Sequence, residues 1–428
     1  VPSDNASASE PEALPGSTPR PPLTGLTVLD LTVALAGPFA TFLLAGLGAR
    51  VIKIENPESP DPCRDNPPYL GRDGVSLGRT RPDDVSVSAL NRLRGKYAIT
   101  LNLKQPGARD VFADLLRQAD IVVENFSAGT LERLGVGYSL AQSINPRVIY
   151  CSVSGFGATQ APGTGKAMDN IIQALSGLMM TSGSPDDPPV RVGVPVGDLV
   201  APVFGVVGIL AALRQREASG RGQHVDVSML GVLTSLVAAE PFDLLEACGM
   251  PQRTGRVVPR LTPFGVYPSA DGYVAICAPT EQFARGVFAA IGRPEFELDP
   301  RFATRDARVA NVDEMNSHIE AFTRTLPTAT LLPLLERHNV PAAEVRSPRD
   351  AVRDPRVLLR GETVPLEHPE FGRVADVVGV GVPITFSDAR QACFRPAPSV
   401  GQDNALVYGE WLGYGPAGVE KLRAAGVI

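Results

Sequence analysis

The chain has 428 residues, 44% of them hydrophobic, and a formal charge of −6. That length exceeds one ordinary core and predicts two or three domains. The acidic balance, with no dense Lys/Arg run, excludes a nucleic-acid partner. Five scattered cysteines (Cys63, Cys151, Cys248, Cys277, Cys393) form no C-x-x-C pair, and four histidines (His224, His318, His338, His368) show no ligand spacing. A disulfide framework and a metal site are therefore not expected, and a reduced, cytoplasmic compartment fits.

Residues 1–22 are polar and Pro/Ser-rich, lack the apolar core of a signal peptide, and read as a disordered tail. From Leu23 short β-branched runs alternate with helical ones: LTVLDL (26–31) is a predicted strand, GPFATFLLAGLG (37–48) a helix and RVIKIEN (50–56) a strand. The Pro/Gly/Asp-rich stretch 58–88 reads as an ordered surface loop. YAITLNL (97–103) is the next strand, followed by a helix at 108–119 with Val111, Leu115 and Ala119 on one face. DIVVENF (120–126) and RVIYCSVSGFG (147–157) are further strands. This alternation predicts an α/β fold with a Rossmann-like, doubly wound parallel sheet. Ligand loops in such sheets lie at the carboxyl ends of the strands, here Thr32–Gly37, Asn125–Gly129 and Ser154–Gly157.

A helix over 167–181 carries Ile171, Leu175 and Leu178 along a stripe and runs into SGSPDDPP. LVAPVFGVVGILAAL (199–213) reads as a core helix with small residues at close contacts, about fifteen residues long and too short to span a membrane. HVDVSM (224–229) is a strand and 231–254 a linker. Residues 255–350 read as a small α+β domain. Its hairpin over 262–278 turns at Ala270-Asp271-Gly272, its helices lie at 280–291, 312–325 and 328–338, and a short strand lies near Ala343–Val345. The segment 351–428 returns to strand at 379–389 and loop at 395–404.

Familiar constellations are absent. The first strand is followed by TVALAGP rather than G-x-G-x-x-G, and there is no Walker A loop and no G-x-S-x-G elbow. What remains is carboxylate chemistry: Asp169, Asp186, Asp187 and Asp198 fall within thirty residues. An ionised Asp, with a reference pKa of about 3.9, needs no base to attack an activated acyl group. It is a weak nucleophile, so the substrate must resemble a thioester and backbone N–H groups must hold the oxyanion. The pair Asp186-Asp187 between Pro185 and Pro188 is open to two readings, a turn built from turn formers or a carboxylate held for reaction.

The ordered series LTVLDLTVALAGPFAT, LGARVIKIE, LNLKQPGARDVFADLLRQADIVVENFSAGTLERLG, NPRVIYCSVSGFG, DNIIQALSGLMMTSGSPDDPPVRVGVPVGDL, GILAALRQREASGRGQHVDVSM and PSVGQDN resembles the class III coenzyme A transferases. These are the formyl-CoA transferase and carnitine-CoA transferase type, and the family also holds the α-methylacyl-CoA racemases. The resemblance runs from about Leu23 onward and implies a large CoA-binding domain begun by 23–230, a small domain at 255–350 and a segment 351–428 that returns to the large one. It also implies two chains interlocked as rings, a homodimer, with a heteromer as the other assembly.

By the same resemblance Asp186, three residues after Gly183, is the nucleophile, forming an aspartyl anhydride and then an aspartyl-CoA thioester. Asp187 stands where the family has glycine and is the fallback nucleophile. The implied CoA contacts are Leu35, Ala36, Leu101, Asn102, Leu103, Lys104, Asn125, Phe126, Ser127, Arg133, Ser154, Gly155, Phe156 and Gly157, with Lys104 and Arg133 suited to phosphate. A family arginine is replaced by Asn56 and a family lysine by Ser154, which leaves Arg64, Arg92 or Arg94 as substitutes. The glycine-rich lid of oxalate-type enzymes is missing around 255–265, which argues against formyl-CoA:oxalate exchange. Coenzyme A and acyl-CoA are implied as substrates beside a free carboxylic acid, with no prosthetic group and with succinyl-CoA a donor suggested by family breadth. The racemase branch is the rival reading. It uses a His–Asp pair, and here the His position is Met168 while Asp198 is retained. A non-catalytic subunit of a heteromeric transferase is the third.

Overall fold

The computed structural model describes residues 20–158, 166–368, 372–390, 392 and 394–428. Most of the expected tail, and Cys393, lie outside the described residues. The β-branched runs form a six-stranded sheet of β1 (Thr27–Asp30), β2 (Arg50–Glu55), β3 (Lys96–Thr100), β4 (Ile121–Glu124), β5 (Ile149–Ser154) and β6 (His224–Ser228). Their spatial order is β3-β2-β1-β4-β5-β6, and β1–β2, β2–β3, β1–β4 and β4–β5 pair in parallel. The order reverses between β1 and β4, and a doubly wound sheet opens its ligand crevice outside the carboxyl ends of the strands at that point.

Strands β1 to β5 are buried along nearly all their length because helices cover the sheet, whereas the edge strand β6 is only partly buried. Helix α1 (Ala36–Gly46) is buried along almost all its length, and α2 (Ala108–Arg117) packs Val111 and Leu115 inward, with Ala119 just beyond its end, as the spacing predicts. Val407, Tyr408, Val419, Val427 and Ile428 enter the same core cluster as α2. The Tyr408 hydroxyl donates to the Thr100 carbonyl at 2.7 Å, and the Asn102 N–H to the Val427 carbonyl at 2.8 Å.

Two compact units result. The first comprises the described residues up to Ser152, Gly205–Val225 and Leu359–Ile428; the second comprises Val153–Phe204 and Asp226–Leu358 as far as described. In the second unit Phe264–Pro268 and Tyr273–Cys277 form the expected antiparallel hairpin, extended by Ala342–Glu344. The Asp271 carboxylate at its turn accepts from the Thr328 N–H and hydroxyl. Helices Glu281–Ala290, Val312–Thr323 and Thr328–Arg337 close a core of Tyr267, Ile276, Phe288, Met315 and Leu335.

Five segments depart from the sequence expectations. The stretch 58–88, expected as a surface loop, pairs Tyr69–Gly71 with Gly74–Ser76 and Val85–Ser86 in a small antiparallel sheet. The helix over 167–181 is only α3 (Asp169–Leu175), followed after Gly177 by a 3-10 turn; Ile171 and Leu175 are exposed, whereas Ile172 and Gln173 face inward. The helix at 199–213 is α4 (Val196–Ser219), with Pro202 inside it. By length and composition α4 is long enough to cross a membrane, so the length argument against a span falls. Its glycines do serve close contacts, since a Cβ on Gly208 would come 2.5 Å from Val225. Within 231–254 the chain forms part of the helix Met229–Val237 and the short helix Phe242–Ala247. The strand expected at 379–389 ends at Val380, where it pairs back on Thr363–His368; Pro383, lacking an N–H, cannot extend the ladder.

Candidate active site

In the first unit the turn Thr32–Ala36, which leaves β1 and enters α1, is held by side chains from four other segments. The Asp30 carboxylate accepts the Thr32 N–H at 2.9 Å and the Asp61 carboxylate accepts the Ala34 N–H at 2.9 Å. Asn125 binds both sides of Val33, accepting its N–H at 2.8 Å and donating to its carbonyl at 2.9 Å. Arg92 donates to the Ala34 carbonyl at 2.9 Å, and Lys53 to the Thr32 carbonyl. Ala34 sits at φ 65°, an unfavourable region for a residue with a Cβ, so these bonds determine its geometry. Leu35, half-buried, and Ala36, buried, thereby stand at the amino end of α1, the end of a helix that favours an anion.

Beneath the turn lies a buried charge network. Lys96 pairs with Asp30 at 2.9 Å and Lys53 with Asp61 at 3.0 Å, and all four side chains are inaccessible. Burial pushes the Asp30 carboxyl up, but Lys96, Lys53 and the Thr32 and Thr41 hydroxyls outweigh it and bring it down to about 2. Burial likewise opposes ionisation of Asp61, yet Lys53 and the Cys63 and Ala34 N–H groups hold it below the usual carboxylate range.

The other strand-end residues divide by burial. Leu101 belongs to the core, and the Asn102 carboxamide is turned back to accept the Lys104 N–H at 3.2 Å. Leu103 is half-buried, and the Lys104 side chain is exposed with no hydrogen-bond or ion-pair partner among the described residues. Phe126 is fixed by its N–H to Glu124 at 2.7 Å, Ser127 is exposed, and among the described residues the Arg133 side chain hydrogen-bonds only the Thr130 hydroxyl, at 3.0 Å. Of the substitute cations, Arg64 is consumed by two bonds to Glu55, and Arg94 is buried against the Val380 carbonyl at 2.6 Å. Arg92, gripping the Ala34 carbonyl, is the one that reaches a predicted site turn.

Ser154–Gly157 and Asp186 belong to the second unit. Ser154 closes its own turn by accepting the Gly157 N–H at 3.0 Å, and an added Cβ on Gly155 would come 2.0 Å from Ala167. Phe156 beside it is half-buried.

The SPDDPP turn uses its two acids differently. Gly183 takes φ +95°, the Asp187 N–H reaches back to the Ser184 carbonyl at 3.2 Å, and the Asp187 carboxylate accepts the Ser184 N–H at 3.1 Å. Asp187 is thus committed to closing the turn. The neighbouring Asp186 carboxylate is exposed and makes no hydrogen bond or ion pair among the described residues.

Both flanks of that turn are anchored. Upstream, the Gly255 N–H donates to the Gly183 carbonyl at 3.0 Å and Arg253 to the Pro185 carbonyl at 2.7 Å. Downstream, buried Gln173 accepts the Val192 N–H at 2.9 Å and donates to Asp169 at 2.7 Å, while Asp169 accepts the Gly197 N–H at 2.7 Å. The Asp169 carboxylate is therefore occupied on both oxygens. Met168 is 72% exposed, and Asp198 sits in the first turn of α4.

Sequence reasoning did not single out Arg253, Gln173 or Asp61. Gln173 had a readable signal, its spacing of four from Asp169 on one helix face. Arg253 and Asp61 had none, because their partners are distant in the chain.

Comparison with known proteins shows the family. The profile of CoA-transferase family III matches residues 23–404. The chain is 36% identical over 393 residues to succinate–glutarate CoA-transferase of Agrobacterium fabrum, covering 91% of this chain and 96% of that one. It is also 36% identical to acetyl-CoA:oxalate CoA-transferase of Acetobacter aceti, covering 92% and 96%. The crystal structure of a CAIB/BAIF family protein from Brucella suis superposes with a TM-score of 0.77 at 32% identity, covering 91% of this chain and 99% of that one.

Proposed function

Because the chain belongs to CoA-transferase family III, we propose that it moves coenzyme A from an acyl-CoA to a free carboxylic acid through covalent intermediates on Asp186. The Asp186 carboxylate attacks the donor thioester carbonyl, giving an acyl-aspartyl anhydride and CoA thiolate. The thiolate attacks the aspartyl carbonyl of the anhydride, releasing the donor acid and leaving an aspartyl-CoA thioester. The acceptor carboxylate then attacks that thioester and frees the thiolate, which takes the acceptor acyl group and restores Asp186. The observation that carries this reading is the unequal use of the two acids. Asp187 is tied into the turn, and Asp186 stands free on a loop anchored at both ends. Anchoring lowers the orientational entropy lost in the attack.

Leu35 and Ala36, Leu101 to Lys104, Asn125 to Ser127, Arg133 and Ser154 to Gly157 are the proposed CoA contacts, with Lys104 and Arg133 facing phosphate. Racemisation is disfavoured because Met168 stands where the needed His base would be, so that of the His–Asp pair only Asp198 is retained. Succinyl-CoA is the proposed donor, in line with relatives named for succinate–glutarate and succinyl-CoA:mesaconate exchange. Similarity does not select the acceptor, since an oxalate-named relative matches at the same 36% identity. We further propose an interlocked homodimer in the cytoplasm. The exposed Val203, Phe204, Val207 and Leu210 on α4 supply an apolar face of the kind a second copy covers.

Trapping tests the mechanism. Incubation with succinyl-CoA and no acceptor should leave an adduct on the peptide containing SGSPDDPP, which hydroxylamine converts to a hydroxamate. Exchange of the substrate α-proton in deuterated water, without any such adduct, would replace the transferase reading with the racemase one.

A further inference from the structure

Arg253 is only 7% exposed. One arm of its guanidinium, Nη2, donates to the Pro185 carbonyl at 2.7 Å, one residue before Asp186. The other terminal nitrogen, Nη1, is buried without a hydrogen-bond partner among the described residues. It lies 3.9 Å from the point a Cβ on Gly183 would occupy, and no other neighbouring atom comes within 4 Å of that point. No carboxylate among the described residues pairs with this guanidinium.

A cation removed from water is strongly destabilising unless an opposite charge or full hydrogen bonding offsets it. Lys53 and Lys96 each hold a carboxylate, whereas Arg94, equally buried, meets only the neutral oxygens of Asn91 and Val380, as Arg253 meets only that of Pro185. Among the described residues Arg253 has only a neutral carbonyl as partner, so no ion pair offsets its charge. The chemistry on Asp186 passes through a carboxylate and through tetrahedral oxyanions. Asp186 is exposed, so a fixed charge beside it stabilises such states most once bound substrate displaces water from the turn.

We propose that Arg253 is the positioning residue of the Asp186 turn, holding the Pro185 carbonyl with one arm and directing an uncompensated positive charge at the anionic states formed on Asp186. The proposal rests on Asp186 as nucleophile. It assigns to one buried side chain two separable tasks, a hydrogen bond and a charge.

Two substitutions separate them. Arg253→Gln keeps an N–H donor for Pro185 and removes the charge; Arg253→Lys keeps the charge and loses the fork. With succinyl-CoA as probe, Arg253→Gln should lose on the order of 100-fold in kcat, with KM for succinyl-CoA and the melting temperature near wild type. Arg253→Lys should recover most of that loss. Equal activity of the two variants overturns the proposal, because keeping the charge would then make no difference. If Arg253→Gln does not fold, Arg253→Lys decides. Slow but measurable acylation of the SGSPDDPP peptide supports the charge, and acylation as absent as in Asp186→Asn at wild-type melting temperature refutes it. Wild-type protein is the control: no adduct there defeats the nucleophile reading itself, whereas equal adduct rates in wild type and Arg253→Gln defeat only the role of Arg253.

Discussion

The turn after β1 and the turn after α3 are both built on buried charge, and they resolve it in opposite ways. Under Thr32–Ala36 each buried cation meets a carboxylate, and the carboxylates in turn receive backbone N–H groups. Under Gly183–Asp187 the buried cation is Arg253, which among the described residues has no counter-charge, and one of two adjacent acids has no hydrogen-bond or ion-pair partner among them. Complete pairing makes a rigid platform that orients backbone toward a ligand. Incomplete pairing leaves charge available for chemistry, which is how reactive carboxylates differ from structural ones.

That comparison breaks most sharply at Asp186. Asp186→Ala and Asp186→Asn should lower kcat by about 10⁴-fold or more while the melting curve stays in place. Asp187→Ala removes the cap on the Ser184 N–H and should cost only about tenfold to a hundredfold. The opposite ranking in a steady-state assay would move the nucleophile by one residue.

At the fully paired turn the large effect falls on stability. Lys53→Ala strands Asp61 in the interior and should destabilise the protein by about 3–5 kcal/mol, read from urea unfolding. Loss of activity without loss of stability there would contradict a platform role.

A smaller effect is expected at the exposed cations. Lys104→Ala and Arg133→Ala should each weaken CoA binding by about 1.5–3 kcal/mol and leave KM for the acid unchanged, by calorimetry with free CoA and kinetics with varied acid. Affinity equal to wild type in both variants would remove them from the CoA site.

The smallest effect is a pH dependence. The Asp30 carboxyl is depressed from 3.8 to about 2 in the folded chain. Its stabilising contribution is complete above pH 4 and is lost as pH falls through about 2, on the order of 2 kcal/mol. The acid arm of the unfolding profile should flatten in Asp30→Asn, measured relative to that variant's own neutral stability.

Much of the sheet was readable because its cause is local. LTVLDL, RVIKIE and DIVVEN are runs with strand propensity, and Val111, Leu115 and Ala119 repeat at helical spacing, so periodicity alone located β1, β2, β4 and α2. Where helical periodicity misled, competition from the tertiary structure was the reason. Ile171 and Leu175 were a credible inward stripe, but Gln173 must face inward to hold Val192 and Asp169, and the apolar stripe turns outward. Helix α4 was cut short by reading only its apolar middle, while its ends carry Asp198 and Arg216 in the same continuous helix.

The sequence by itself determined the alternating elements, the loops that leave the strand ends and the Pro-flanked pair Asp186-Asp187. Each of these depends on residues within a turn or two of one another. Tertiary structure decided which acid is free, since the Ser184 N–H captures Asp187 only when the turn closes. It also decided that Arg64 and Arg94 are consumed while Arg92 reaches the Ala34 carbonyl. The meeting of Arg253 with Pro185 spans 68 residues of chain. A buried charge finds its partner, or fails to, only after the intervening segments have packed, and no local pattern of residues encodes that outcome.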